Sequence, residues 1–258
     1  MTDTTHVDYL DPPQAPDGWM PGPPDFVGVG ADLCGTTWWH RLVSAHPSVA
    51  TVPGVPKEVH FFDRFWDGSF TDADIGLYHS YFPRPGSAQV GEWTPRYMYD
   101  IWTPSLLERC APQAKLLVSL RDPLDRYRAR LRRRGDMPPA DRWIRGTPVA
   151  MAVSRSLYAD PLLRVLRHFS REQLLVLQYE RCVADPEGEL RRTYEFLGLP
   201  DADFSPPRLQ RRDNPGRNDT PIPPALEDGV VEAFAHDAGR LLEIVPDLDL
   251  DLWPGVRI

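Results

Sequence analysis

The sequence predicts a single α/β domain with a central parallel sheet flanked by helices, and three observations carry that expectation. Residues 26–37, Phe-Val-Gly-Val-Gly-Ala-Asp-Leu-Cys-Gly-Thr-Thr, read as an apolar strand, a glycine-bounded loop and a helix N-terminus. Lys115-Leu-Leu-Val-Ser-Leu120 is apolar with no solvent-side alternation, the mark of a strand buried on both faces of a parallel sheet. Strand and helix patterns alternate along the 258 residues without a repeat, and that length can bury a substantial core.

The elements follow in order. Residues 1–24 carry Pro12, Pro13, Pro16, Pro21, Pro23 and Pro24 among acids and glycines and read as a disordered leader, which leaves 25–258 as the domain. After the first strand and helix, residues 57–62 are compact and apolar enough for a second strand. Residues 72–81 read as helix, 89–93 as a short strand, and 104–110 as a helix with proline in its first turn. The strand at 115–120 runs into Arg121-Asp-Pro-Leu-Asp125, where Asp122 can cap a helix, Pro123 suits its first position and Asp125 its first turn. Residues 135–149 read as a loop or flap, 151–169 as one long helix, 174–178 as a strand, and 186–197 as a helix closed by Gly198. Residues 208–224 form a long basic, proline-rich loop, and 226–244 return to helix. Ligands of such sheets bind at the C-terminal ends of the strands, where both the glycine loop and Arg121 fall.

Composition narrows the partners. The net charge is −8, yet residues 121–134 hold seven arginines against Asp122 and Asp125. An acidic protein with one basic block suits a small polyanion better than nucleic acid, which the remaining surface would repel. An arginine-rich solvated helix face is the plainer reading, because of 29 basic residues only Lys57 and Lys115 are lysines. No apolar run is long enough to span a membrane and no signal-type N-terminus is present, so the expected location is cytoplasmic. Cys34, Cys110 and Cys182 are far apart and lack metal spacing, which suits reduced thiols. Cys34 reads as a small filler beside a tight turn, and no metal is expected.

The glycine loop is a cradle for phosphate. Successive backbone amides from Cys34 to Thr37 would converge there, and the helix dipole adds partial positive charge. The spacing is that of a nucleotide-triphosphate loop, but Thr36 stands where such loops carry lysine, which argues for another phosphate donor.

Together these segments resemble the sulfotransferases that use 3′-phosphoadenosine-5′-phosphosulfate (PAPS), over about residues 25–200. Gly35-Thr-Thr-Trp38 resembles the 5′-phosphosulfate loop, and Arg121-Asp-Pro-Leu-Asp-Arg126 the 3′-phosphate motif. Lys57-Glu-Val-His-Phe-Phe-Asp63 is similar to the segment with the catalytic glutamate in heparan sulfate glucosaminyl 3-sulfotransferases. Gly91-Glu-Trp-Thr-Pro95 lies where those enzymes have Lys-Thr-Pro, and residues 173–199 resemble the family's closing β-α unit. The resemblance implies a P-loop-like fold of the sulfotransferase and nucleotide-kinase type. It implies that Cys34, Gly35, Thr36, Thr37, Trp38, Arg121, Arg126, Tyr158 and Arg212 bind PAPS. For Trp38, stacking on adenine and a place in the core of the first helix stay equally open. Glu58 is the expected general base, with His60 beside it on one face of a strand and Lys57 on the other. Phe62, Trp93 and Arg96 are expected at the acceptor, a small molecule of bacterial secondary metabolism, and a homodimer stays open.

Three positions depart from the family. Leu33 replaces the cation that contacts the leaving phosphate, Trp93 replaces the lysine of Lys-Thr-Pro, and Ala129 replaces the serine that pairs with the first arginine of the 3′ motif. Lys57, Arg96, and Arg126 or Arg128 are the candidate substitutes. Asp32 is also unfavourable in a loop for a doubly charged donor. These departures keep two alternatives open: an enzyme of this fold running another reaction, and a non-catalytic nucleotide-binding or interaction protein.

Overall fold

The computed structural model describes residues 11–133, 147–210 and 224–256. Four strands, β1 (Phe26–Gly30), β2 (Gly91–Trp93), β3 (Lys115–Leu120) and β4 (Leu174–Gln178), form one parallel sheet in the order β2-β1-β3-β4. β1 and β3 are neighbours, so the glycine loop and Arg121 leave adjacent strand ends.

Period two within the strands builds two cores. Val27, Val29, Leu116, Val118, Leu120 and Val176 face one layer, and Phe26, Leu117, Leu175 and Leu177 the other. The second layer is closed by α1 (Thr36–Ser44) through Trp38, Trp39 and Leu42. The first layer takes in α2 (Asp72–His79), α3 (Thr103–Cys110) and α4 (Pro123–Arg133). Also on it lie α5 (Thr147–Ser154) and α6 (Ala159–Val165). α7 (Tyr179–Ala184) leaves β4 directly, and α8 (Pro186–Leu197) packs on the second layer. α9 (Pro224–Ile244) returns to the first. Helices on both faces of a parallel sheet make this a doubly wound α/β domain.

The local chemistry explains the boundaries. Asp122 Oδ1 accepts from the amides of Leu124 and Asp125 and caps α4, as expected. Asp185 caps α8, and Gly198 closes it in the left-handed region at φ 71°. The chain then returns to the strand ends near its C-terminus. Gln178 and Asp249 exchange two hydrogen bonds, the Trp253 indole donates to Glu180, and the Gly255 amide donates to Asp122 Oδ2.

Two expectations about local structure are corrected. Residues 57–62 are not a strand: 57–60 are irregular, and Phe61–Phe65 is a 3-10 helix whose Phe61, Phe62 and Phe65 are buried. The amides of Val59, His60 and Phe61 donate to side chains rather than to a ladder, and His60 sits at φ 55°, which breaks the pleat. Residues 151–169 form two helices, not one, because Asp237 accepts from the amides of Tyr158 and Ala159 and starts a new helix there. The expected disordered leader is described from residue 11 onward, and its second half is docked. Trp19 packs on the core, and Met20 pairs with Arg84 in an antiparallel bridge.

Candidate functional site

The glycine loop turns on two left-handed residues, Leu33 at φ 66° and Gly35 at φ 79°. A Cβ on Gly35 would lie 2.6 Å from the Tyr179 ring, so glycine is required both for its backbone angle and for its lack of a side chain. The loop is braced from below: the Ser119 hydroxyl donates to the Cys34 carbonyl at 2.6 Å, and the Cys34 thiol donates to the Asp32 carbonyl. Burial pushes the Cys34 thiol up to about 12, so it is an inert filler, as expected.

Tyr179 was not among the expected site residues, and it connects the two halves of the site. Its ring abuts Gly35 on one side, while the Arg121 guanidinium lies 5.0 Å from the ring centroid. Arg121 is only 8% exposed and is paired with Asp125 at 3.5 Å. Its carbonyl accepts from the Tyr158 hydroxyl at 3.0 Å, and that hydroxyl lies 3.8 Å from the Cys34 sulfur. The signal for Tyr179 was its place immediately after β4.

Lys57 approaches the loop from the irregular segment. Its Nζ donates to Thr36 Oγ1 at 3.1 Å, to Thr37 Oγ1 at 3.4 Å and to Glu58 Oε1 at 2.8 Å. One ammonium therefore stands between two hydroxyls of the loop and a carboxylate. Glu58 and His60 meet as expected, with Nε2 to Oε2 at 3.3 Å, although a turn brings them together rather than a strand face. Asp63 holds the other imidazole nitrogen at 3.0 Å, and Arg96 pairs with Asp63 at 3.6 Å and with Asp100 at 2.8 Å. A His-x-x-Asp spacing was the available signal for Asp63.

The electrostatics follow from these contacts. Burial raises the proton affinity of Glu58, but its bonds with His60 and Lys57 outweigh that and hold it near 2. The bonds of His60 to Asp63 and Glu58 lift it to about 9. His40, behind Lys57 on α1, is depressed to about 4 by burial and by the ammonium, and stays neutral.

Several expected site residues are built into the core instead. Trp38 is buried, and its indole donates to the Leu209 carbonyl, which decides for the core reading. Trp93 is fully buried, its ring fills the space above Gly28, and its indole donates to the Gly30 carbonyl at 3.0 Å. Phe62 is fully buried among Phe61, Tyr78 and Tyr97. Neither Trp93 nor Phe62 is open to an acceptor. Tyr158 is buried beneath the loop and supports it from there. Arg126 is 0% exposed, with its donors on Asp32, Ala152 and Ser156, so it is committed inside the protein rather than to a phosphate. That pairing, with Arg155 at 3.8 Å, neutralises the Asp32 charge that seemed unfavourable. Arg128 lies 3.9 Å from Asp125, and Ala129 is buried. Arg212 lies outside the described residues. Among the described residues no acidic, histidine or cysteine cluster could hold a metal, and no helix is long and apolar enough to cross a membrane.

Comparison with known proteins adds a family to this geometry. Residues 23–209 match the model of the sulfotransferase domain. The chain is 31% identical over 188 residues to human heparan sulfate glucosamine 3-O-sulfotransferase 3B1, a match covering 68% of this chain and 46% of that protein. The chain thus spans about half the length of the curated relatives it matches. Among solved structures, a sulfotransferase from Alicyclobacillus acidocaldarius superposes with a TM-score of 0.68 at 28% identity, covering 89% of this chain and 98% of that one. The sulfotransferase domain of a Synechococcus olefin synthase shares the fold at 19% identity and a TM-score of 0.55, covering 87% and 98%.

Proposed function

The chain belongs to the sulfotransferase domain family, and from that premise we propose that it moves a sulfuryl group from PAPS to a hydroxyl of a small-molecule acceptor by in-line displacement. When bound, PAPS supplies a sulfuryl group whose bond to the 5′-phosphate breaks as the acceptor oxygen bonds to sulfur. The observation that carries the reading is Lys57, whose ammonium lies on the hydroxyls of both Thr36 and Thr37. It puts a positive charge at the loop where Leu33 offers none. The residues fit the donor: glycine is obligatory at the loop turn, the loop opens α1 with free amides, and Arg121 closes the neighbouring strand end on the Tyr179 ring.

Glu58 takes the proton of the acceptor hydroxyl. With Lys57 and His60 both bonded to it, Glu58 is a weak base in the free protein. Lys57 would turn from Glu58 to an anion held in the loop, and loss of that bond would raise the proton affinity of Glu58 when the acceptor must be deprotonated. Lys57 would then hold its positive charge against the sulfuryl and phosphate oxygens, the kind of contribution that dominates in-line transfer of charged groups. Arg96, paired with the Asp63 that also holds His60, supplies a cation on the acceptor side in place of the lysine that Trp93 displaces. Trp93, buried where the resemblance implies a lysine, leaves one cation fewer, which favours a small acceptor over the heparan sulfate named for the human relative. A bacterial secondary metabolite and a cytoplasmic location complete the proposal.

Titration calorimetry with adenosine 3′,5′-bisphosphate, the desulfated product, tests the reading. Saturable binding in the micromolar range is expected, and heats indistinguishable from dilution at high micromolar concentration would sink it. The absent cation at Leu33 favours the second reading, a protein of this fold that binds a nucleotide without transferring sulfate. Binding without turnover against any hydroxyl acceptor would select that reading.

A further inference from the structure

One buried ionisable group has no part in the chemistry described so far. Glu92, the middle residue of β2, is 1% exposed, and its carboxylate accepts four hydrogen bonds. Oε1 takes the Tyr78 hydroxyl at 2.8 Å and the Tyr97 hydroxyl at 3.2 Å. Oε2 takes the Thr94 hydroxyl at 2.5 Å and the Val59 amide at 3.1 Å. All four partners are neutral donors. A buried carboxylate held by neutral groups is a costly way to fill a core, and burial raises its proton affinity. Such a group needs an explanation beyond packing.

The explanation lies in the segment it touches. Residues 57–60 carry Lys57, Glu58 and His60 and have no regular structure of their own. Three successive amides there are tied to three side chains of β2 and the turn that follows it. Val59 donates to Glu92, His60 to the Thr94 hydroxyl at 3.3 Å, and Phe61 to the Tyr97 hydroxyl at 2.9 Å. The Trp93 amide completes the cradle by donating to the Lys57 carbonyl at 2.8 Å. Thr94 and Tyr97 each accept from the segment and donate to Glu92, so the carboxylate fixes the direction of both hydroxyls. With those protons turned to Glu92, the lone pairs of both oxygens face the segment.

We propose that Glu92 is a positioning residue: through Thr94 and Tyr97 it fixes the backbone of residues 59–61 and so holds Glu58 and His60 in proton-transfer register. The inference rests on the reading of Glu58 and His60 as the proton-handling pair, but its test needs neither donor nor acceptor. The side chain of Glu58 is 40% exposed and that of His60 is 36% exposed, so neither is held in place by packing alone. The cradle supplies the order that burial does not.

The experiment is a pH titration of the His60 ring by NMR in histidine-labelled full chain, with His60→Gln to assign the signal. Wild type titrates near 9, because His60 donates to Glu58 and Asp63. Glu92→Gln replaces one acceptor oxygen by a donor, and Thr94→Val removes both the acceptor of the His60 amide and a donor to Glu92. In each folded variant the His60 midpoint is expected to fall by about one unit, toward the ordinary histidine value. An unchanged midpoint in either folded variant overturns the proposal. Amide exchange in wild type stands independently of folding of the variants: Val59, His60 and Phe61 should be protected like strand amides, and fast exchange at all three also overturns it. Failure of the bisphosphate to bind would remove the sulfotransferase reading while leaving these readouts as they are, so the two failures are distinguishable.

Discussion

The ammonium of Lys57 lies 3.1 Å from the hydroxyl of Thr36, while its other contacts include the neighbouring carboxylate of Glu58 at 2.8 Å. A single cation joins the glycine loop to the candidate base, and both halves of the proposed chemistry run through it. Lys57→Met should lower turnover by about 10²- to 10³-fold, on the scale of one lost oxyanion donor at about 2.7–4 kcal/mol. The affinity for the bisphosphate product should fall much less. Rapid-quench turnover and calorimetry on the same preparation separate the two quantities, and equal losses in both would reduce Lys57 to a binding residue.

The Glu58–His60 pair sets the pH dependence. His60 is raised to about 9 and Glu58 is lowered to about 2, so across neutral pH the pair is an imidazolium beside a carboxylate. The stabilisation His60 contributes is complete below the unfolded value of 6.5 and is lost as pH rises through about 9. Loss of the His60 proton removes one of the two partners that weaken Glu58 as a base, so the rate should rise along a limb centred near pH 9, and His60→Asn should remove that limb. A pH profile of kcat/KM on both proteins is the check. Glu58→Gln should abolish turnover and preserve product binding.

Gly35 and Gly68 make a matched pair for the loop. Both are left-handed, at φ 79° and 81°, but a Cβ on Gly35 meets the Tyr179 ring at 2.6 Å and one on Gly68 meets nothing within 4 Å. Alanine at either position should cost about 1–2 kcal/mol of backbone strain. Only Gly35→Ala should also displace the ring beneath Arg121 and weaken bisphosphate binding at least tenfold, by an estimate of about 1.4 kcal/mol. Thermal melts and calorimetry on both variants distinguish strain from site damage.

Glu180 ties stability to pH in the opposite sense from a carboxylate held charged by an ion pair. Burial lifts it to about 7, although the Asp122 amide and the Trp253 indole both donate to it. The folded state therefore binds a proton that the unfolded chain releases near 4.5, and stability falls as pH rises from there through about 7. Melting temperatures of wild type and Glu180→Gln, measured from pH 5 to pH 8, should differ by an amount that changes with pH. A constant difference would remove Glu180 from this role.

Much of the fold was legible because burial of both strand faces leaves continuous apolar runs, as at Lys115–Leu120 and Leu174–Gln178, and because caps such as Asp122 and Gly198 carry their own chemistry. The turn of the glycine loop was legible because only glycine tolerates the backbone angle at residue 35. The segment at 57–62 misled because its apolar side chains suit a strand, while its shape is set by side chains more than 30 residues away, at Glu92, Thr94 and Tyr97. Trp38, Phe62, Trp93 and Arg126 stand beside site positions in sequence yet face inward. Only the packing of Leu209, Gly28 and Asp32 against them decides that. Tyr179 was missed because its place immediately after β4 says nothing of Gly35 and Arg121, the two partners that its ring joins.

The Gly255 amide closes on Asp122 across 133 positions of sequence, and Trp253 closes on Glu180 across 73. During synthesis β1, the glycine loop and Arg121 therefore emerge long before the groups that finish the capping of α4 behind Arg121. At the usual pace of about 5–20 residues per second, the ribosome needs on the order of ten seconds to travel that distance. Until then the nascent chain carries a glycine loop whose neighbouring strand end is unfinished. The strand ends around the glycine loop and Arg121 are thus a late product of translation, completed by Trp253 and Gly255 rather than by the motifs themselves.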